Sequence, residues 1–190
     1  DTVTLELAGV GTIGNGPNTT GLGATDLGTF ETINIVADSA NNVDANTVED
    51  FTASVAESIV ITGSGNLDLD AITNTTALTS IDASALAGSL DITGIDASDI
   101  TIKMGGTDAD DDSTVDIAGL NASDQIVGGA GDADTVTAGG ITGLTATTGK
   151  LNIQDVENVE LTVTGANTID ASLLSGVSSV AFVGNTGTTQ

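Results

Sequence analysis

Short stretches in which apolar and polar residues alternate constrain the fold of this chain more than any other feature of its sequence. Alternation with a period of two places every second side chain on the same face of a β-strand. Turn-forming residues, mainly Gly, Asn, Asp and Ser, lie between the stretches. The pattern occurs at residues 2–7, 32–35, 58–61, 90–92, 158–163 and 180–183. It predicts an all-β protein, with one short helical turn over residues 49–56.

A recurring four-residue motif, aliphatic-Asp-Ala-Ser/Asn, suggests how these strands are arranged. Its copies, including one variant with Asn in the second place, begin at Val43, Ile81, Ile95, Leu120 and Ile169. The spacings lie near multiples of about 12 to 13 residues, which is one strand plus its turn. If each copy marks the same corner, its aliphatic residue points inward and its Asp accepts hydrogen bonds from turn amides. This interpretation predicts a β-solenoid, or β-roll, of stacked short strands. The alternative is a β-sandwich whose turns share the same chemistry.

A longer duplication suggests two related modules. Residues Asp1–Thr4 are identical to Asp134–Thr137, and Phe30–Ile35 parallels Val156–Leu161. We therefore predict a first β-solenoid module at 1–126 and a second β module at 127–190, continuous with the first. In the second copy the repeated residues follow a glycine-rich turn. The first copy is thus expected to begin inside such a turn, as in a fragment of a larger protein.

The charge of the chain requires counter-ions. The sequence has 27 acidic side chains and only two basic ones, Lys103 and Lys150, which gives a net charge of -25. Like charges at this density raise the free energy of the compact state, and two lysines cannot offset them. Dense oxygen ligands favour Ca²⁺ or Mg²⁺ over softer metals. The alternative is a uniformly acidic, solvated surface of the halophilic kind.

Missing residue types exclude several function classes. The chain has no His and no Cys, which excludes zinc sites, thiol catalysis and imidazole acid–base chemistry. The negative charge and the lack of Arg argue against nucleic acid and anionic membranes as partners. No apolar stretch is long enough to span a bilayer, and no signal peptide is visible. Carboxylates alone, without basic or aromatic sugar-binding residues, make catalysis unexpected, so we predict that the chain is not an enzyme.

The segment 124–136 is the central candidate for a metal site. It combines a glycine-rich turn with flanking carboxylates: Gly128, Gly129 and Gly131, with Asp124 before them and Asp132 and Asp134 after them. Glycines permit a turn whose carbonyl oxygens converge, and a carboxylate can then complete the ligand set. The segment resembles the calcium-binding nonapeptide G-G-x-G-x-D-x-U-x of repeats-in-toxin (RTX) proteins. The turn departs from that pattern after its last glycine, so either Asp132 or Asp134 is expected to take the ligand role.

A second candidate cation site lies just before the first. Asp108, Asp110 and Asp112 have the one-three-five spacing of calcium loops. Ser113 at position six and Gly119 at position twelve exclude an EF-hand. The three carboxylates still predict a cation site, with a solvated acidic loop as the alternative. Asp68 and Asp70 form a third candidate, more typical of an ordinary strand edge.

Together these features resemble bacterial S-layer and related RTX-type surface proteins. The resemblance is carried by the glycine-rich Asp turn, the strand Phe30–Ile35 and the Ile-Asp-Ala-Ser motifs. It implies an exported β-solenoid on the bacterial cell surface that binds several Ca²⁺ ions and assembles into homo-oligomers or a lattice. It also implies a cell-surface polysaccharide as a further partner, and no membrane insertion. The alternative is a stalk or adhesion module of a large secreted RTX adhesin.

Overall fold

Two parallel β-sheets make up the part of the protein that the structure describes. The computed structural model describes residues 1–8, 12–13, 26–38, 46–70, 72–73, 75–96, 99–141, 151–164 and 168–183. Sheet A contains the odd-numbered strands: β1 (Thr2–Ala8), β3 (Thr32–Asp38), β5 (Ser58–Gly63), β7 (Ser80–Leu86), β9 (Thr101–Lys103), β11 (Gln125–Val127), β13 (Asn152–Gln154) and β15 (Leu174–Ser175). Sheet B contains the even-numbered strands: β2 (Thr12–Ile13), β4 (Asn46–Val48), β6 (Leu67–Leu69), β8 (Leu90–Ile95), β10 (Thr114–Ile117), β12 (Thr135–Ile141), β14 (Asn158–Val163) and β16 (Ser179–Val183).

The order of the strands confirms the predicted β-solenoid over the β-sandwich. The chain alternates between the sheets, and each strand pairs in parallel with the strand two places along the chain. One turn of the solenoid therefore consists of one strand from each sheet and the two corners that join them. From β3 onward, paired residues in sheet A lie 21 to 27 positions apart. The predicted unit of one strand plus its turn is about half of this distance.

Aliphatic side chains stack in register along the core. In sheet A one inward-facing position is occupied by Val3, Ile33, Ile59, Ile81, Ile102, Ile126, Ile153 and Leu174. In sheet B the equivalent position carries Val48, Leu69, Ile92, Val115, Val136, Val159 and Val180. The members from Ile33 to Ile153 and from Val48 to Val159 are buried. Burial of each such side chain contributes about 1.5–3 kcal/mol, and β-branched residues suit this pleated stack.

The four-residue motif does not mark a single repeating corner, so that part of the prediction is wrong. Ile81 lies inside β7 of sheet A, whereas Ile95 ends β8 of sheet B. Leu120 and Ile169 lie at corners between sheet B and sheet A. The Asp in the motif accepts a local amide hydrogen bond in either setting. Asp82 accepts one from the Ser84 N–H inside a strand, and Asp170 accepts one from the Ser172 N–H at a corner. The copy that begins at residue 43 lies outside the described residues.

The helical turn predicted over residues 49–56 is also wrong. Thr52 forms parallel bridges with Asp26 and Thr73. Ala53 and Ala56 then close a tight turn, in which the Ala56 N–H donates to the Ala53 carbonyl oxygen at 3.2 Å. Among the described residues, the one helical element is a single 3-10 turn at Ala171–Leu173.

The proposed module boundary between residues 126 and 127 falls inside β11. β11 pairs with β9 on one side and β13 on the other, so sheet A continues across the boundary. The division into two modules stays a prediction.

Candidate metal centre

Two of the predicted metal-binding segments lie at the same edge of the solenoid. We define the acidic corner as residues 104–113, 128–134 and 155–157, which connect sheet A to sheet B on three successive turns. The Asp108–Asp112 loop is therefore adjacent to the glycine-rich turn in the next layer. The Asp132 N–H donates to the Ala109 carbonyl oxygen at 3.2 Å between these layers. The sequence predicted two sites but not that they would be neighbours.

Asp134 joins the three layers of the acidic corner. Its side chain is fully buried. Its Oδ1 accepts from the Ser113 N–H at 2.7 Å and its Oδ2 from the Gly129 N–H at 2.7 Å. Its own N–H donates to Oε2 of Glu157 at 3.0 Å. Burial raises the pKa of the Asp134 carboxyl, the two amide hydrogen bonds oppose this rise, and the charges of Glu157 and Asp112 add to it.

Asp134 belongs to a polar ladder, a series of polar residues that each precede a strand of sheet B: Asn66, Ser89, Ser113, Asp134 and Glu157. Asn66 Oδ1 accepts from the Ser89 N–H at 3.0 Å. Further along, the Leu90 N–H donates to Ser113 Oγ at 3.0 Å, one layer away. Side chains in this column thus repeatedly satisfy the backbone of a neighbouring turn. This periodic role accounts for the burial of Asp134 without a metal ion.

The glycines of the 128–131 turn are required by close backbone approach. A Cβ atom on Gly129 would overlap the Gly105 carbonyl oxygen of the preceding turn. A Cβ atom on Gly128 would overlap the Asp155 carbonyl oxygen of the following turn. On Gly131, a Cβ atom would lie 2.8 Å from Asp134 Oδ1. Stacking of layers therefore explains Gly128 and Gly129, whereas the nearest contact of Gly131 is with Asp134 of its own turn.

The 108–112 loop is organised by a residue that was not among its predicted ligands. Asp111 Oδ2 accepts from the Asp108 N–H at 3.0 Å and from the Thr107 N–H at 3.2 Å. Asp112 Oδ1 accepts from the Ala133 N–H of the next layer at 3.0 Å. Asp108, Asp110 and Asp112 are exposed, as is Asp132 in the neighbouring layer. A dissolved cation can reach these four exposed carboxylates, and also Asp155, which is exposed in the third layer.

Asp124 lies at the opposite corner, where sheet B leads into sheet A. It precedes β11, whereas the glycine-rich turn follows that strand. It is buried, and its two oxygens accept from the Ile100 N–H at 2.9 Å and the Asn121 N–H at 2.6 Å. Burial raises the pKa of Asp124, and these two hydrogen bonds oppose the rise. The structure therefore does not place Asp124 in the acidic corner with Asp132 and Asp134.

The third candidate cation site, Asp68 and Asp70, includes a further carboxylate from a residue that is distant in sequence. Asp68 and Asp91 are paired in register on the outer face of sheet B. Asp70 lies near both and accepts from Thr93 Oγ1 at 2.9 Å. Burial raises the pKa of Asp68, and the charges of Asp91, Asp70 and Glu49 add to the rise. Burial likewise raises the pKa of Asp91, with Asp70 contributing. Asp91 could not be assigned from sequence, because only the register brings it beside Asp68.

Within the described ranges, no group of three or more carboxylates is arranged so that it could hold a metal ion. Two of the predicted ligands, Asp124 and Asp134, instead have both oxygens engaged by amides. The ligand set therefore stays a prediction: Asp124, Gly128, Gly129, Gly131, Asp132, Asp134, Asp108, Asp110 and Asp112.

No family model matches the sequence, and neither a curated protein nor a solved structure matches it. In the part of the chain that the structure describes, no helix is long and apolar enough to cross a membrane. The role of the chain has to be inferred from its corners and sheet faces.

Proposed function

We propose that this chain is a structural, non-enzymatic segment of a bacterial cell-surface layer, and that Ca²⁺ stabilises its fold and promotes its assembly. The observation that carries the proposal is the stacking of like charges on successive turns. Asp112, Asp134 and Glu157 interact across three layers of the acidic corner, and Asp68 faces Asp91 along sheet B. These pairs occur in a chain of net charge -25.

Stacked carboxylates oppose folding unless a cation offsets them. Neighbouring strands lie about 4.8 Å apart. Two unit charges at that distance repel by about 1 kcal/mol in water and about 3.5 kcal/mol at an effective dielectric constant near 20. A divalent cation between two carboxylates replaces this repulsion with attraction, and Ca²⁺ accepts flexible sets of oxygen ligands. The ligands we propose are four of the exposed carboxylates of the acidic corner: Asp108, Asp110, Asp112 and Asp132.

With these carboxylates, the stability of the fold depends on the calcium concentration around the chain. Where calcium is scarce, repulsion favours the open chain, which suits export. Outside the cell, binding to the folded state alone adds about 2.7 kcal/mol per site when the ion is at a hundredfold excess over its Kd. Extracellular localisation and several bound ions are therefore parts of the same proposal.

Self-association distinguishes the proposed surface-layer role from the alternative, a stalk or adhesion module. A surface-layer segment associates with further copies, and a cell-surface polysaccharide is a further proposed partner. A stalk or adhesion module of a large RTX adhesin stays monomeric. The continuous stack of parallel strands is compatible with the stalk as well. Light scattering across millimolar calcium distinguishes the two, because only the first predicts a rise in mass.

Thermal unfolding followed by circular dichroism tests the calcium dependence. We expect the Tm to fall sharply in excess chelator and to recover when calcium is added. Potassium chloride at matched ionic strength is the control, since it screens charge without bridging carboxylates. An unchanged melting curve in chelator would favour a solvated acidic surface and contradict the proposal.

A further inference from the structure

The outer faces of the two sheets differ in charge. On strands β6 to β14 of sheet B, the charged residues are Asp68, Asp91, Asp116 and Glu160, all acidic. On strands β5 to β13 of sheet A, the charged residues are Asp82 and Lys103. The outer face of sheet A is therefore electrically neutral over these strands, although the chain carries a net charge of -25.

The two charges on sheet A form an exposed ion pair. Asp82 and Lys103 are paired in register on β7 and β9. Lys103 Nζ lies 2.8 Å from Asp82 Oδ2, and the side chains of Lys103 and Asp82 are 47% and 34% exposed, respectively. The outward residue on the strand before the pair is Val60, and on the strand after it is Val127. The column thus reads apolar, negative, positive, apolar along the solenoid axis.

This column is complementary to itself. A two-fold axis that runs along the strand direction between β7 and β9 exchanges the positions of Asp82 and Lys103, and those of Val60 and Val127. We propose that the outer face of sheet A binds a second copy of this chain face to face, with the solenoid axes antiparallel. Asp82 then faces Lys103 of the second copy and Val60 faces its Val127. Such self-complementary two-fold contacts are the commonest in homo-oligomers.

The other pairings of faces are less favourable. Sheet B against sheet B opposes four carboxylates with four more, and like charges in contact cost several kcal/mol. Sheet A against sheet B offers the four carboxylates of sheet B only one basic residue, Lys103, and adds the carboxylate of Asp82 to them. Only sheet A against sheet A brings opposite charges together in both copies.

The size of the face predicts a weak contact. Five strands about 4.8 Å apart and three to four residues wide cover roughly 280 Å² per copy, about a third of the area in a standard stable interface. The association therefore appears at high protein concentration and at ionic strengths that screen the acidic remainder of the surface. The contact specifies one interface of the proposed self-assembly, and its biological role rests on that proposed function. It does not involve the acidic corner.

A charge-swap experiment tests the contact. Asp82→Lys gives a face with two positive charges and Lys103→Asp gives one with two negative charges. Sedimentation velocity should show self-association of each variant weakened about tenfold or more relative to the unchanged chain. An equimolar mixture of the two variants should recover it. Both variants lose the same exposed ion pair, which is worth at most about 1 kcal/mol, so both are expected to fold.

If either swap variant fails to fold, Val127→Glu replaces it, with Thr162→Glu on the outer face of sheet B as the matched control, because Thr162 is paired in register with Val183 and not with a carboxylate. The inference is overturned if the variants associate like the unchanged chain, or if their mixture stays monomeric. A chain that is monomeric but binds an insoluble neutral polysaccharide through Val127 also overturns it. If calcium changes the Tm but the charge-swap variants associate like the unchanged chain, the proposed function is supported and the proposed contact through sheet A is contradicted. If the charge-swap variants lose association and their mixture recovers it, but chelator leaves the Tm unchanged, the contact is supported and the calcium-dependent function is contradicted.

Discussion

Replacing Asp134 with alanine removes the acceptor for two amides, the buried amide of Ser113 and the part-buried amide of Gly129. A buried amide without an acceptor costs about 1–3 kcal/mol, so the two together predict a loss of about 2–6 kcal/mol. Total stabilities of domains are about 5–15 kcal/mol. Relief of repulsion from Glu157 and Asp112 offsets part of the loss. Urea unfolding followed by circular dichroism at pH 7 measures the change directly.

The same variant separates two roles for Asp134. If its carboxylate mainly accepts amide hydrogen bonds, the loss is similar in calcium and in chelator. If it mainly binds Ca²⁺, the loss appears in calcium and vanishes in chelator. In chelator, where its proposed role as a calcium ligand has no effect, Asp132→Ala is the matched control, because Asp132 lies two residues away and is exposed. An Asp134→Ala variant no less stable than Asp132→Ala in chelator would refute the amide-acceptor role.

Two further predictions concern protonation and layer stacking. Burial raises the pKa values of Asp68, Asp91, Asp124 and Asp134 in the folded state. A carboxyl whose pKa is higher in the folded than in the unfolded state destabilises the fold when it is ionised. This loss of stability disappears as the pH falls through the folded-state pKa. The free energy of unfolding in chelator should therefore rise as pH is lowered from 7 towards the usual carboxyl pKa of about 4, and a steady fall over that range would contradict the assignment. Gly129→Ala should lower the free energy of unfolding by several kcal/mol, because its Cβ would overlap the Gly105 carbonyl oxygen, whereas Gly119→Ala meets nothing within 4 Å and should change it little. Equal effects in the two glycine variants, measured by urea unfolding, would show that the layers can separate at low cost.

Alternation predicted six of the sixteen described strands (β1, β3, β5, β8, β14 and β16), and all of these except β16 bury at least one side chain. β3 and β5 lie over the stretches read from alternation, and their burial patterns alternate accordingly. The solenoid itself followed from repetition, but the motif behind that prediction also suits a strand interior, as at Ile81. Local hydrogen-bonding chemistry is the same in both settings, so the sequence could not distinguish them.

The candidate site was less predictable, because its contacts are set by register. Glu157 reaches Asp134 across 23 positions, and Asp91 pairs with Asp68 across the same distance. Asp124 and the glycine-rich turn are close in sequence, yet a strand separates them into different corners. The role of Asp111 could not be predicted for a different reason. Within a run of acidic residues, the local sequence does not show which carboxylate accepts the amide hydrogen bonds of the loop.

The parallel register has a mechanical consequence. Force applied at the two ends of a parallel β-stack loads the outermost strand pair first, so its hydrogen bonds break in sequence instead of sharing the load. The chain should therefore lengthen in steps, each releasing one turn. With 21 to 27 residues per turn and about 3.5 Å per extended residue, each step is about 75–95 Å. Asp134, which ties three layers together, should make the turn that carries it resist peeling longer than its neighbours.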